Sequence, residues 1–144
     1  MPPGAEPLTR ADFPVPLHPL SRPQPLPVRP ERIWSDADWA RIKCGLRSDG
    51  RDDRWDVLTE GDTVHVHRSW TGHQIYAATF EQLAGRGWRI AEVLVERNPE
   101  RYGRAPEEFD RVMLEMVLSG ILLGERDAEL YERWRAAAGQ RGQA

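Results

Sequence analysis

Between positions 55 and 96, hydrophobic and polar residues alternate in short runs that glycine-containing turns separate. Alternation with a period of two is typical of β-strands, because successive side chains of a strand point to opposite faces. The runs predict four strands, at residues 55–59, 63–69, 73–80 and 88–96, joined by short turns. In the second strand, Val64 and Val66 fall on one face, and His65 and His67 fall on the other.

A spacing of three to four residues between apolar positions predicts helices on either side of these strands. Ser35 is the predicted N-cap of a first helix, which ends near Cys44, before Gly45. Further along the chain, an apolar stripe predicts a long helix over residues 106–123. A second C-terminal helix is predicted over residues 126–138.

These elements together predict an α+β fold: a four-stranded antiparallel meander with an N-terminal helix and two C-terminal helices packed on one face. We expect the helices to cover the face that carries Val57, Val64 and Val66, because that face is apolar. His65 and His67 then lie on the opposite, more open face of the sheet.

The first thirty residues differ from the rest in their proline content. Ten of the twelve prolines precede Glu31, so the sequence divides into a leader at 1–30, a single domain at 31–138 and a tail at 139–144. Proline excludes a helix interior or a central strand, and the leader is either disordered or docked in extended form. Apolar residues favour docking, on this domain or on a neighbouring subunit as a homo-oligomer; they are Phe13, Val15, Leu17, Leu20, Leu26 and Val28.

Composition and charge narrow the functional classes. The net charge is −3 and the charges are interspersed, whereas a nucleic-acid-binding protein normally has a basic face, so we expect no nucleic-acid partner. No apolar run reaches membrane-spanning length and the start of the chain lacks the apolar core of a signal peptide. We therefore expect a cytoplasmic protein without a membrane partner.

The stretch from Thr63 to His73 is the richest in chemically capable side chains. Arg68 offers a planar fork of donors for phosphate or carboxylate, and Trp70 offers a flat stacking surface. The other candidate ligand-binding residues offer hydroxyl or imidazole groups: His65, His67, Ser69, Thr71 and His73. The leading hypothesis is a small binding module that recognises a polar or anionic ligand, such as a nucleotide or sugar phosphate, or a protein partner. A purely structural hairpin is an equal alternative.

Histidine chemistry supplies a second hypothesis, a small hydrolase. His65, His67 and His73 are candidate metal ligands, with Asp56 or Glu92 as a possible fourth. Without a metal, His65 or His67 paired with Asp56 or Glu92 is a candidate acid–base pair. The sequence indicates no particular cofactor.

The segments Asp53-Arg54-Trp55-Asp56 and His67-Arg68-Ser69-Trp70-Thr71-Gly72 resemble a group of small, largely uncharacterised bacterial proteins. That group has an Asp-Arg/Lys-Trp opening strand and an Arg-Ser-Trp-Thr-Gly hairpin, and the similarity covers residues 31–100. The resemblance implies a recurring module with a signature of Arg68, Ser69, Trp70, Thr71, Gly72 and Tyr76. It implies no activity.

Overall fold

The computed structural model describes residues 6–50 and 53–143. Within these residues the fold is α+β, with one antiparallel sheet and three α-helices, as predicted. The strands are β1 (Pro23–Pro25), β2 (Trp55–Glu60), β3 (Thr63–Arg68), β4 (Gln74–Leu83) and β5 (Gly87–Glu96). The helices are α1 (Asp36–Cys44), α2 (Glu107–Glu115), a π-helix (Met116–Leu122) and α3 (Ala128–Gln143). The sheet order is β1-β5-β4-β3-β2.

The prediction of a four-stranded meander is wrong, because the leader contributes a fifth strand to the described sheet. Pro23 pairs with Glu96 and Pro25 pairs with Leu94, so β1 lies antiparallel along the free edge of β5. Proline lacks an N–H donor, and an edge strand is the place in a sheet where this loss is tolerated. The prolines interrupt the alternating pattern, which is why the pattern did not predict this strand.

The leader also covers the sheet face that carries the histidines. Arg10 binds Glu60 at the β2–β3 turn, and the His18 amide donates to the Gly72 carbonyl at 2.8 Å, beside the β3–β4 turn. These turns lie at opposite ends of β3, so the intervening leader residues run along the strand. Phe13, which belongs to this part of the leader, is buried, and His67 is only 1% exposed. The expectation of a more open histidine face is therefore wrong; residues 1–5 of the leader lie outside the described residues.

Helices pack on the other face of the sheet. Val57, Val64 and Val66 belong to one apolar core with Leu114 and Leu118, as expected. The predicted position of both C-terminal helices on this face is wrong, since α3 packs mainly against α2. Ala137 of α3 joins a small second cluster with residues at the start of α2. Helix α3 has too few apolar residues along one face to pack stably on the sheet.

Two helix predictions differ from the structure in detail. The long helix predicted over 106–123 changes from α to π geometry at Met116. The C-terminal helix predicted over 126–138 spans Ala128–Gln143 and so extends into the segment predicted as a tail; residue 144 lies outside the described part. A single glycine at 139 costs a helix only about 1 kcal/mol, too little to end it. No helix in the described part is long and apolar enough to cross a membrane.

Candidate functional site

The turn between β3 and β4 holds the start of β2 in place. Ser69 donates from its backbone amide to the Arg54 carbonyl at 3.0 Å, and from its hydroxyl to the Asp53 carbonyl at 2.6 Å. Gly72 turns the chain with φ +75°, a value that favours glycine. Ser69 therefore makes structural contacts, which hold Arg54 beside the hairpin.

Three arginines from separate parts of the chain meet beside this turn. Arg54 precedes β2, Arg68 ends β3 and Arg101 follows β5, and all three line a cavity of about 410 Å³ with Trp70 and Thr71. Among the described residues that line it, none is a carboxylate. Trp70 is 69% exposed, so most of its surface faces solvent. We call these five residues the arginine site.

Stacking holds the guanidinium of Arg68. Its central carbon lies 4.6 Å from the Trp55 ring centre and 5.9 Å from the Tyr102 ring centre. Cation–π contacts of this kind restrict the orientation of the guanidinium plane. Arg101 is also positioned, since it donates to the Pro19 carbonyl of the leader at 3.1 Å. The arginine site is therefore partly preorganised.

A second and larger cavity adjoins the arginine site and shares Arg54 and Arg68 with it. Its volume is about 970 Å³, and it lies between the β2 edge of the sheet and the C-terminal helices. Aromatic and sulfur-containing side chains dominate its lining: Trp55, Tyr102, Phe109, Met113, Met116, Tyr131 and Trp134. We call this cavity the aromatic cleft.

A buried polar network supports Tyr102 from below the aromatic cleft. The Tyr102 and Tyr76 hydroxyls both donate to Oδ1 of Asp110, at 2.5 and 2.8 Å, and Arg97 contacts Oδ2 at 3.3 Å. Burial, together with the neighbouring Tyr102 and Asp110, raises the pKa of Tyr76 well above its usual value. Both phenols thus act as donors to one carboxylate, which fixes the ring on which Arg68 rests.

The histidines occupy structural positions beneath the leader. His67 Nδ1 donates to the Gly72 carbonyl at 2.7 Å, and burial lowers the His67 pKa to about 4. The cross-strand neighbour Asp56 is also buried, and its Oδ1 accepts from the Ser48 amide at 2.7 Å. A general base must be reachable by substrate, so this His–acid pair does not form an open catalytic site.

The remaining candidate metal and acid–base residues, His65, His73 and Glu92, do not come together either. His65 lies 3.2 Å from a Glu60 oxygen and accepts a 2.8 Å hydrogen bond from Gln74, and burial lowers its pKa. The His73 ring packs 5.7 Å from that of His18. Glu92 is exposed on β5, two strands away from β3. Over residues 6–50 and 53–143, no three His, Cys, Asp or Glu side chains form a group that could hold a metal ion, contrary to the metal-site hypothesis.

Sequence reasoning therefore found one part of the site and missed another. Arg68, Trp70 and Thr71 were predicted from the hairpin, and the structure places them together. Arg54 and Arg101 were not predicted as members, although each lies in an arginine-bearing segment flanking a strand. Met113 and Met116 fit the helical core spacing, and nothing in that spacing indicates that they line a cleft.

Comparisons with known proteins found no relative: no protein-family model, no curated protein and no solved structure matches the chain. The resemblance of the hairpin to a bacterial group stays a prediction. Functional conclusions therefore depend on the geometry of the arginine site and the aromatic cleft.

Proposed function

We propose that the protein binds a small anionic ligand, which the arginine site holds beside the β3–β4 turn. The observation that carries this proposal is the convergence of Arg54, Arg68 and Arg101 on a cavity whose described lining has no carboxylate. Guanidinium groups match phosphate and carboxylate oxygens with two parallel hydrogen bonds. Trp70 adds an exposed ring on which a base or sugar stacks.

Preorganisation of the arginine site adds to the affinity that charge complementarity provides. An arginine that is already stacked on Trp55 and Tyr102 loses less side-chain entropy when a ligand arrives. Each hydrogen bond to a charged group contributes about 1.5–3 kcal/mol. One such bond from Arg68 therefore suffices to make it an anchor.

Isothermal titration calorimetry with inorganic phosphate, pyrophosphate and adenosine monophosphate tests the proposal. Arg68→Met retains an unbranched apolar stem over Trp55 but removes the donors, and it should weaken binding about 10- to 150-fold. Arg86→Met is the matched control, because Arg86 is exposed at the β4–β5 turn, far from the site. Equal affinities for the two variants would contradict the proposal.

The salt dependence of binding adds a second criterion. A ligand held by three arginines should bind more weakly as ionic strength rises, because salt screens exposed charges over a Debye length of about 8 Å at 0.15 M. Arg54→Met and Arg101→Met should each reduce the slope of log affinity against log salt. Binding that is insensitive to salt would place the anion elsewhere.

A further inference from the structure

The arginine site and the aromatic cleft are continuous. Arg54 and Arg68 line both, and the Arg68 guanidinium lies 4.6 Å from the Trp55 ring, which forms part of the cleft wall. An anion that binds the donors of Arg68 is therefore next to the mouth of the cleft. Any apolar group attached to that anion has a cavity within reach.

The lining of the aromatic cleft is suited to an apolar occupant. Ile121 and Tyr131 on its rim are 46% and 49% exposed, a costly arrangement for large apolar side chains. Met113 and Met116 supply flexible, polarisable side chains that adapt to the shape of a ligand. The volume of about 970 Å³ lies at the upper end of the range for small-molecule sites, about 300–1,000 Å³.

The backbone around the cleft is also unusual. Met116 and Ile121 belong to the π-helix, a geometry that is rare and occurs frequently at functional sites. Trp134 of α3 reaches back to α2, where its indole N–H lies 3.2 Å from the Met113 sulfur. The buried contacts of Asp110 fix Tyr102 on the other side. The side chains of Trp134 and Tyr102 are therefore fixed on two sides of the cleft, around a mostly apolar interior.

We infer that the ligand is an amphipathic anion, whose carboxylate or phosphate binds the arginine site while its apolar chain or ring system occupies the aromatic cleft. This inference rests on the proposed function of the arginine site and adds the chemical class of the ligand. The occupant is a free small molecule, since Arg54 and Arg68 at the junction of the two cavities, with Arg101 beyond them, outnumber the one carboxylate of the described cleft lining, Asp53, and so complement one anionic head attached to one apolar tail.

Titration with a series of alkyl carboxylates tests this class. Hexanoate, octanoate, decanoate and dodecanoate are compared by calorimetry with the matching 1-alcohols and with inorganic phosphate, all below micelle-forming concentrations. Each buried CH₂ should tighten binding of the carboxylates about fourfold, until the cleft is filled. The alcohols should bind more weakly than the carboxylates at every length, since they lack the charge.

Substitution on the rim separates the cleft from the arginine site. Ile121→Gln places a neutral polar group on the rim without changing the net charge, so it should flatten the chain-length dependence and leave phosphate binding unchanged. Ile33→Gln is the matched control, because Ile33 is a similarly exposed apolar residue, at 39%, outside the cleft lining. It should leave both quantities unchanged.

The outcomes distinguish failure of this inference from failure of the proposed function. Phosphate binding with no dependence on chain length would overturn the amphipathic ligand and leave the arginine site intact. Alcohols that bind as tightly as carboxylates would overturn the amphipathic anion, and a wild-type protein that binds no phosphate would overturn the proposed function as well. A dimer that Ile121→Gln dissociates, with no binding of decanoate, would assign the cleft to a second copy of the chain and overturn the inference.

Discussion

Acidification from pH 7 to pH 4 should lower the free energy of unfolding by about 3 kcal/mol through His67 alone. Burial is the main reason that the His67 pKa falls from 6.5 to about 4, and the nearby His65 and Arg10 lower it further. The hydrogen bond to the Gly72 carbonyl and the charge of Asp56 oppose this shift but do not cancel it. In the unfolded chain the same imidazole titrates at its ordinary value.

The sign follows from proton binding. Between pH 6.5 and about 4 the unfolded state binds a proton that the native state does not, so stability falls as the pH falls through this window. Above pH 6.5 neither state is protonated and the penalty vanishes; below about 4 both are protonated and the loss levels off. The fall of the pKa from 6.5 to about 4 sets a limit of about 3.4 kcal/mol for this loss, and about 3 kcal/mol of it is reached at pH 4.

Urea unfolding followed by tryptophan fluorescence, at several pH values from 7.5 to 4, measures this effect. His67→Asn retains an amide donor toward Gly72 but does not titrate, so the difference between wild type and variant isolates His67. Between pH 7.5 and pH 4, the free energy of unfolding of the wild type should fall by about 3 kcal/mol more than that of the variant. His18→Asn, at an exposed position of the leader, is the control. Parallel profiles for the wild type and His67→Asn would refute the reasoning.

Three further predictions concern the leader and the buried polar contacts, and urea unfolding checks each. Gly72→Ala would push a Cβ into the leader backbone, so it should cost about 1–3 kcal/mol more than Gly85→Ala, which has a similar positive φ but open space around it; equal losses would mean that the leader does not press on the turn. Asp110→Asn should cost about 2–3 kcal/mol, because the buried carboxylate accepts two phenol donors and an arginine, and an unchanged midpoint would show that the network is not stabilising. Ser119→Ala should cost about 1–3 kcal/mol, because it leaves the fully buried Trp34 N–H without its acceptor; a loss below about 0.5 kcal/mol would argue that another acceptor replaces the hydroxyl.

Helix α1 and the central strands could be predicted from short stretches of sequence. Ser35 caps α1 by accepting from the Asp38 amide at 3.0 Å, and Gly45 follows its last residue. The alternation of Val64 and Val66 with the histidines correctly separated the two faces of β3. Capping and alternation act over a few residues, so the information they need is contained in the same segment.

The position of the leader could not be predicted in this way. Its prolines exclude regular patterns, and β1 exists only because β5 offers a free edge to Pro23–Pro25. The burial of His67 depends in turn on an earlier part of the leader, which is held at both ends of β3 by the Arg10–Glu60 ion pair and the His18–Gly72 hydrogen bond. What appeared from alternation to be a reactive imidazole face is thus a neutral, structural layer.

The candidate site likewise has a part that local sequence predicts and a part that depends on tertiary packing. Arg68 and Trp70 were identifiable because they lie in one hairpin, whereas Arg54 and Arg101 reach them from segments before β2 and after β5. The aromatic cleft requires in addition that α3 stack on α2 rather than on the sheet. Local sequence encodes strands, caps and turns through interactions between near neighbours. The cleft and the arginine site arise from contacts between distant segments, and only the packing of the whole chain decides which of those contacts form.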